Sequence, residues 1–269
     1  DQCAQHGIEF IGPSQSRLAL FGDKAQARKA AIEAEVPIVR GTEHASSLEE
    51  CQEFFQSLGE NGAIMIKALA GGGGRGTRIV TKIEEIEEAY LRCQSEAKNA
   101  FGNDELYVEE LIQNARHIEI QIIGDRDGNI LAIGDRECSV QRRHQKIIEI
   151  APSYDLPQKT RQAIQKSAEK LAQSVGYYSL GTFEFLVDSK SKDQEKFAFI
   201  EANARLQVEH TVTEEVTGID LVRSQIEIAN GKSLKELELT EAPQAVGYAI
   251  QARINICLLY TSDAADEGL

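Results

Sequence analysis

Long apolar runs are missing from this chain, and so is a basic start leading into an apolar segment with a cleavage site. Nothing in it reads as a membrane span or a secretory leader, so the expected compartment is the cytoplasm. Cysteine is scarce and badly spaced for pairing. Cys3, Cys51, Cys93, Cys138 and Cys257 are odd in number and never form CxxC, which argues against a disulfide framework or a zinc site and leaves them as reduced, mostly structural thiols. Positive charge is in deficit, with 29 Lys and Arg against 43 Asp and Glu and a formal charge of −14. General affinity for nucleic acid or an acidic membrane needs the opposite balance. Internal repeats and low-complexity segments are absent too.

What is present suffices for a sizeable core: 269 residues, 42 % of them hydrophobic, fit one large or two small domains. Two basic concentrations stand out against the acidic background, Arg75-Gly76-Thr77-Arg78 and Gln141-Arg142-Arg143-His144-Gln145-Lys146. An anionic ligand would have to meet such clusters, although each taken singly also fits a solvated face balanced by nearby acids.

Residues 7–13 read as a short buried strand ended by Gly-Pro. Asp23 caps a helix to about Glu35, and Val36-Pro37-Ile38-Val39 returns to extended chain. Ser47 with Glu50 makes a capping box for the next helix, and Thr81 with Glu84 for another. Strands are expected at 63–67, 78–80 and 105–112. From Arg116 the pattern turns antiparallel, with alternation over 117–122, a turn at 125–129 and a return at 130–134. A helix follows Pro157, a second hairpin joins 181–187 to 197–201 through a charged turn at 189–196, 220–230 is helical, and 244–255 is strand-like. The class is α+β with antiparallel hairpins.

Residues 201–210 place Glu201, Asn203, Arg205, Gln207 and Glu209 at every second position, one polar face if the chain is extended. Hard oxygen donors beside a planar cation suit a metal-bound phosphate and an oxyanion; a salt-bridged surface strand is the plainer alternative. Glu184 and Glu201 lie on successive hairpin strands, so their carboxylates can meet with Asn203 around Mg²⁺. Ala70-Gly71-Gly72-Gly73-Gly74-Arg75-Gly76 contains GxGxxG, but a β-prone stretch follows it instead of a helix, and no Lys-Ser/Thr pair ends it. A phosphate-covering flap with Lys67 at its base fits better, with a flexible turn as the alternative. His117 and His144 have no helical partner for zinc.

Lys24 in Phe21-Gly22-Asp23-Lys24, Lys67 with the glycine loop, Arg116-His117-Ile118-Glu119, the run from Gln141 to Lys146, Gly181-Thr182-Phe183-Glu184 and the row at 201–210 resemble, in order and spacing, the biotin carboxylases of the ATP-grasp superfamily. The resemblance implies an α+β ATP-grasp fold, two lobes with antiparallel sheets enclosing ATP. It implies a remnant of an N-terminal domain at 1–22, the ATP-grasp domain at 23–222 with a flap lobe at about 39–111, and the start of a C-terminal lobe at 223–255. Residues 256–269 read as a translated sequencing-adapter tail, and the chain as a fragment cut at both ends.

By the same resemblance, Lys24 and Lys67 would contact the nucleotide, Gly73 and Gly74 would lie over its phosphates, and Glu109, Glu110, Leu111 and Ile112 would line the adenine pocket. His117 and His144 would sit along the ribose and phosphates; Glu184, Glu201 and Asn203 would hold Mg²⁺ or Mn²⁺. Lys146, Arg205 and the Val208 backbone would bind bicarbonate, Glu209 would be the base, and Arg253 would serve biotin. The implied reaction carboxylates carrier-bound biotin with bicarbonate and ATP through carboxyphosphate. Implied partners are a biotin carboxyl carrier, a carboxyltransferase and a second copy of the full-length chain. Glu110 departs from the lysine expected there in many members. Another ATP-grasp ligase, or a nucleotide-binding fragment without turnover, remain as rivals.

Overall fold

The computed structural model describes residues 2–42, 44–59, 62–70, 76–112, 114–142, 145–188 and 197–254. In chain order come α1 (Gln2–Gln5), α2 (Gln15–Gly22), α3 (Lys24–Glu33), α4 (Leu48–Ser57), β1 (Ile64–Ala68), β2 (Thr77–Val80), α5 (Ile86–Phe101) and β3 (Leu106–Glu110). Then follow β4 (Ala115–Gly124), β5 (Ile130–Arg142), β6 (Gln145–Ala151), α6 (Gln158–Ser174), β7 (Ser179–Asp188), β8 (Phe197–Asn203), α7 (His210–Thr217), α8 (Leu221–Ala229) and β9 (Ala249–Ala252).

Two antiparallel sheets divide the work. The smaller, in the order β2-β1-β3, buries Ile64, Ile66, Val80, Leu106 and Val108 against Cys51 of α4 and Ile86, Cys93 and Ala97 of α5. The Ser47–Glu50 capping box starts α4 and is worth about 1 kcal/mol. Gly102, at φ 73°, ends α5 in the left-handed conformation that glycine adopts without a Cβ penalty. The buried thiols are inert, for burial pushes Cys51 up to about 12 and Cys93 up to about 11.

The larger sheet runs β8-β7-β4-β5-β6-β9. Alternation along β4 sends Ile118, Ile120 and Ile122 into a core with Phe21 of α2, the alanines of α3, Ile164 and Leu171 of α6, and Phe183, Phe185 and Phe199. Several of these rings meet edge to face. The same alternation therefore turns His117, Glu119 and Gln121 to the opposite face, where they are covered but polar. That face carries the candidate site.

Several expectations are corrected. Residues 7–13 form no strand: Ile8, Phe10 and Ile11 are exposed, and no described strand lies beside them to take their backbone hydrogen bonds. Thr81 caps nothing; a single 3₁₀ turn at Ile83–Glu85 intervenes before α5, and no side chain caps that turn or α5. Among the described residues the expected strand at 244–255 shrinks to β9, because the ladder with β6 pairs 249–252 and Arg253 adds only one backbone bond, to Ile147 O. Helices α1, α2 and α7 were not anticipated. The loop at 71–75, the turn at 189–196 and the tail at 256–269 lie outside the described residues.

Candidate active site

The two sheets face each other across a cavity of about 1070 Å³, at the upper end of the usual range for small-molecule sites. Its floor is the polar face of the larger sheet; its roof is Met65, Lys67, Thr77, Tyr107 and Glu109 from the smaller. Lys24 and Arg28 enter from α3, one helical turn apart.

On the floor, strand register sets the charges. Glu184 of β7 pairs across the ladder with both Glu119 of β4 and Glu201 of β8, and Glu119 pairs with Arg136 of β5. Lys146, at the start of β6, reaches into this row: its Nζ stands 3.1 Å from Glu184 Oε1 and 2.8 Å from Glu209 Oε1, and it also pairs with Glu119. Burial works against the Lys146 charge, yet the three carboxylates raise its pKa further above the usual value. Behind the row, Arg136 is fully buried and donates to Gln121 Oε1 at 2.8 Å, Thr213 Oγ1 at 2.9 Å, Thr182 Oγ1 at 3.1 Å and Glu119 Oε2 at 3.3 Å. Burial opposes ionisation of Glu119, but His117, Arg136 and Lys146 hold it well below the usual carboxylate range.

His117 Nε2 lies 2.7 Å from Glu184 Oε2, and Nδ1 lies 3.1 Å from Gln141 Nε2. Burial opposes its protonation, but hydrogen bonds to Glu119 and Glu184 outweigh that and lift it to about 9. A folded-state pKa above the ordinary 6.5 stabilises the fold fully below pH 6.5, and the contribution is lost as pH rises through 9. Urea midpoints of the metal-free protein should accordingly fall between pH 6.5 and 9 by at most about 3 kcal/mol of stability. His117→Gln should flatten that slope; an unchanged slope would assign it to other groups.

The row at 201–210 is corrected in an informative way. β8 ends at Asn203, so only Glu201 and Asn203 share a strand face. Bonds from Arg205 N to Asn203 O and from His210 N to Gln207 O fold the chain back, and α7 begins at His210. Arg205 and Val208 are exposed at the cavity wall, whereas Gln207 and Glu209 are buried under it. Glu209 meets Lys146 on one oxygen and Arg253 Nη2, at 3.3 Å, on the other. Convergence comes from the turn, not from strand alternation.

On the adenine side, Glu109 lines the cavity and pairs with Lys67 and, at 3.5 Å, with Arg28. Strand alternation turns the Glu110 side chain to Arg40 on the other face, and Leu111 N is tied to Ala63 O, so an adenine contact at Glu110 would come from its main chain. Gly73, Gly74 and His144 lie outside the described residues. Glu119 and Gln207 stand in the sequence motifs without a role of their own, and Arg136 and Arg28 are not in them; polar residues at alternate positions of an otherwise apolar β4 are the available signal for Glu119 and its register partner Arg136.

A divalent cation fits one corner. The Asn203 amide lies 2.7 Å from Glu184 Oε1 and 3.5 Å from Glu201 Oε1, so two carboxylates and an amide meet at one point. The amide nitrogen donates to the carboxylates, and Oδ1 accepts from Arg205 Nη2. Lys24 Nζ, 3.7 Å from Glu201, adds positive charge beside it. His117, Glu119 and Glu184 also hold ligand atoms within 4.8 Å of one another, but Lys146 and Arg136 already neutralise that group.

Residues 23–237 match the family described as the carbamoyl-phosphate synthase L chain, ATP binding domain. A biotin carboxylase–β,γ-ATP complex from Campylobacter jejuni superposes with a TM-score of 0.83 at 43 % identity, over 94 % of this chain and 55 % of that one. The chain belongs to this ATP-binding family, in its biotin carboxylase branch. Its α+β architecture is thus the ATP-grasp fold of biotin carboxylases. The biotin carboxylase domain of Hydrogenobacter thermophilus 2-oxoglutarate carboxylase, solved with MgADP, ADP and bicarbonate, also gives 0.83, at 42 % identity over 94 % of this chain and 55 % of that one. Pyruvate carboxylase 1 of Caenorhabditis elegans is 53 % identical over 254 residues, 94 % of this chain but 21 % of that protein. The chain thus spans about a fifth of the pyruvate carboxylases it matches and about half of the solved biotin carboxylases. Among the described residues no helix is long and apolar enough to cross a membrane.

Proposed function

We propose that this chain carries out the MgATP-dependent carboxylation of carrier-bound biotin by bicarbonate. The observation that carries the reading is the convergence of Lys146, Glu209 and Arg253 beside the Glu184–Glu201–Asn203 corner, on the floor of one cavity. Lys146, Arg205 and the Val208 backbone would hold bicarbonate, and Glu209, whose neighbours are both cations, would take its proton. Lys24 of α3 and Lys67 of β1, both lining the cavity, would offset phosphate charge, and Gly73, Gly74 and His144 would complete the nucleotide side. Glu184, Glu201 and Asn203 would hold Mg²⁺ or Mn²⁺, which when bound supplies charge neutralisation at the phosphates. Arg253 would face the biotin ureido group. The smaller sheet, as the roof over this floor, would limit the access of water to a reactive carboxyl intermediate.

The reading includes the division at 1–22, 23–222, 223–255 and 256–269, a carrier and a carboxyltransferase as partners, and a homodimer when full length, as the Hydrogenobacter domain was solved as a dimer. It also includes residence in the cytoplasm; the mouse relative is named as mitochondrial. The test is ATP cleavage by the purified chain. Stimulation by bicarbonate with free biotin is expected, whereas stimulation by ammonia or another carboxylate instead would favour a different ATP-grasp ligase.

A further inference from the structure

Strand β6 holds one buried charge to which the mechanism above assigns no task. Glu149 is fully buried between Ile148 and Ile150. Its Oε1 is 3.3 Å from Arg253 Nη2, and the same nitrogen is 3.3 Å from Glu209 Oε2. Both distances are long for a charge-assisted bond, which ordinarily closes to about 2.7–2.9 Å. The guanidinium is balanced between two carboxylates and held closely by neither. The ladder fixes this arrangement: Glu149 faces Gln251 across β6–β9, and Arg253 N donates to Ile147 O at 2.7 Å, so acid and arginine are set diagonally across neighbouring strands.

Two further features set Glu149 apart from an ordinary structural ion pair. Its Oε2 is buried without a hydrogen-bond partner among the described residues, and so is Arg253 Nε. A half-satisfied carboxylate is a poor way to fill a core position, where an apolar residue would pack without the desolvation cost. Burial and the Glu209 charge both push the Glu149 carboxyl up, against the pull of Arg253, as expected when two acids compete for one cation.

We propose that Glu149 is a positioning residue: by sharing the Arg253 guanidinium with Glu209, it keeps that arginine from closing onto Glu209, leaving the Glu209 carboxylate available for proton transfer. Without Glu149, Arg253 has one carboxylate left and collapses onto it. This inference rests on the proposed role of Glu209, but its structural half does not.

The test compares Glu149→Gln, which keeps the shape and loses the charge, with Glu149→Asp, which keeps the charge and shortens the side chain. Crystal structures of the unliganded protein should show Arg253 Nη2 moved from 3.3 Å to about 2.8 Å from Glu209 in Glu149→Gln, and still shared in Glu149→Asp. Bicarbonate-dependent ATP cleavage should fall about tenfold or more in kcat for Glu149→Gln, with the KM for MgATP within about twofold of wild type, and Glu149→Asp should retain more activity than Glu149→Gln. A packing role predicts the reverse order, and that order, or an unmoved Arg253, would overturn the proposal. On an Arg253→Gln background neither substitution should cost anything further. If Glu149→Gln does not fold, Glu149→Asp still decides, for an equal loss with and without Arg253 would refute action through that arginine. A wild-type protein without bicarbonate-dependent turnover would instead remove the functional reading, leaving the movement of Arg253 to judge the structural one.

Discussion

Replacing Glu209 by glutamine is expected to reduce bicarbonate- and biotin-dependent ATP cleavage by about a thousandfold, the usual scale for loss of a general base. Glutamine keeps the volume and one oxygen for Lys146, now 2.8 Å away, but it cannot accept a proton. The carboxylate is buried and lies between Lys146 and Arg253, so no other described acid occupies its position relative to both. MgATP binding, followed by calorimetry, should remain within a few-fold of wild type, since Lys24, Lys67 and the Glu184–Glu201 corner are untouched. Arg205→Ala should lose turnover as well without loss of folding, because Arg205 is exposed and, among the described residues, its side chain bonds to Asn203 and the Leu206 carbonyl, its own neighbours in the chain. Turnover above about a tenth of wild type in Glu209→Gln would sink the assignment of the base.

Arg136→Met is expected to destabilise the fold by roughly 3–5 kcal/mol, the cost of removing one partner of a buried ion pair. The substitution takes one cation from buried Glu119, leaving it Lys146 and His117, and removes the donor to Gln121, Thr182 and Thr213, the last of which ties α7 to the sheet. For a chain of this size that corresponds to a melting temperature lower by about 10 °C. Adding Glu119→Gln to Arg136→Met should restore part of the loss, because the uncompensated charge dominates the cost. A shift under about 1 kcal/mol for the single variant would mean that Lys146 alone suffices to neutralise Glu119.

Much of this arrangement was legible in residue order. Strand alternation at 117–122 correctly separated Ile118 and Ile120 from His117 and Glu119, and the Ser47–Glu50 and Asp23 caps started their helices where expected. The pairing of Glu184 with Glu201 followed from two strand-like runs joined as a hairpin through the charged turn at 189–196. Local chemistry misled elsewhere. Thr81 and Glu84 carry the signature of a capping box, yet Glu84 falls within a 3₁₀ turn, Ile83–Glu85, that precedes α5. The β-prone run at 7–13 lacks a neighbour to pair with, and a strand's hydrogen bonds are all non-local.

The row at 201–210 shows where the boundary falls. By itself, the sequence determined the charge types at 201–209, the polar face of β4, the glycine-rich run at 71–76 and the family they point to. Only the tertiary structure decided that Arg205 stays at the wall while Glu209 goes under it, that Lys146 lies among three carboxylates, and that Arg136 and Glu149 stand behind them. The reason is physical: side-chain identity and period are local properties of the chain, whereas burial and charge pairing depend on which strands become neighbours, and that is set by non-local register.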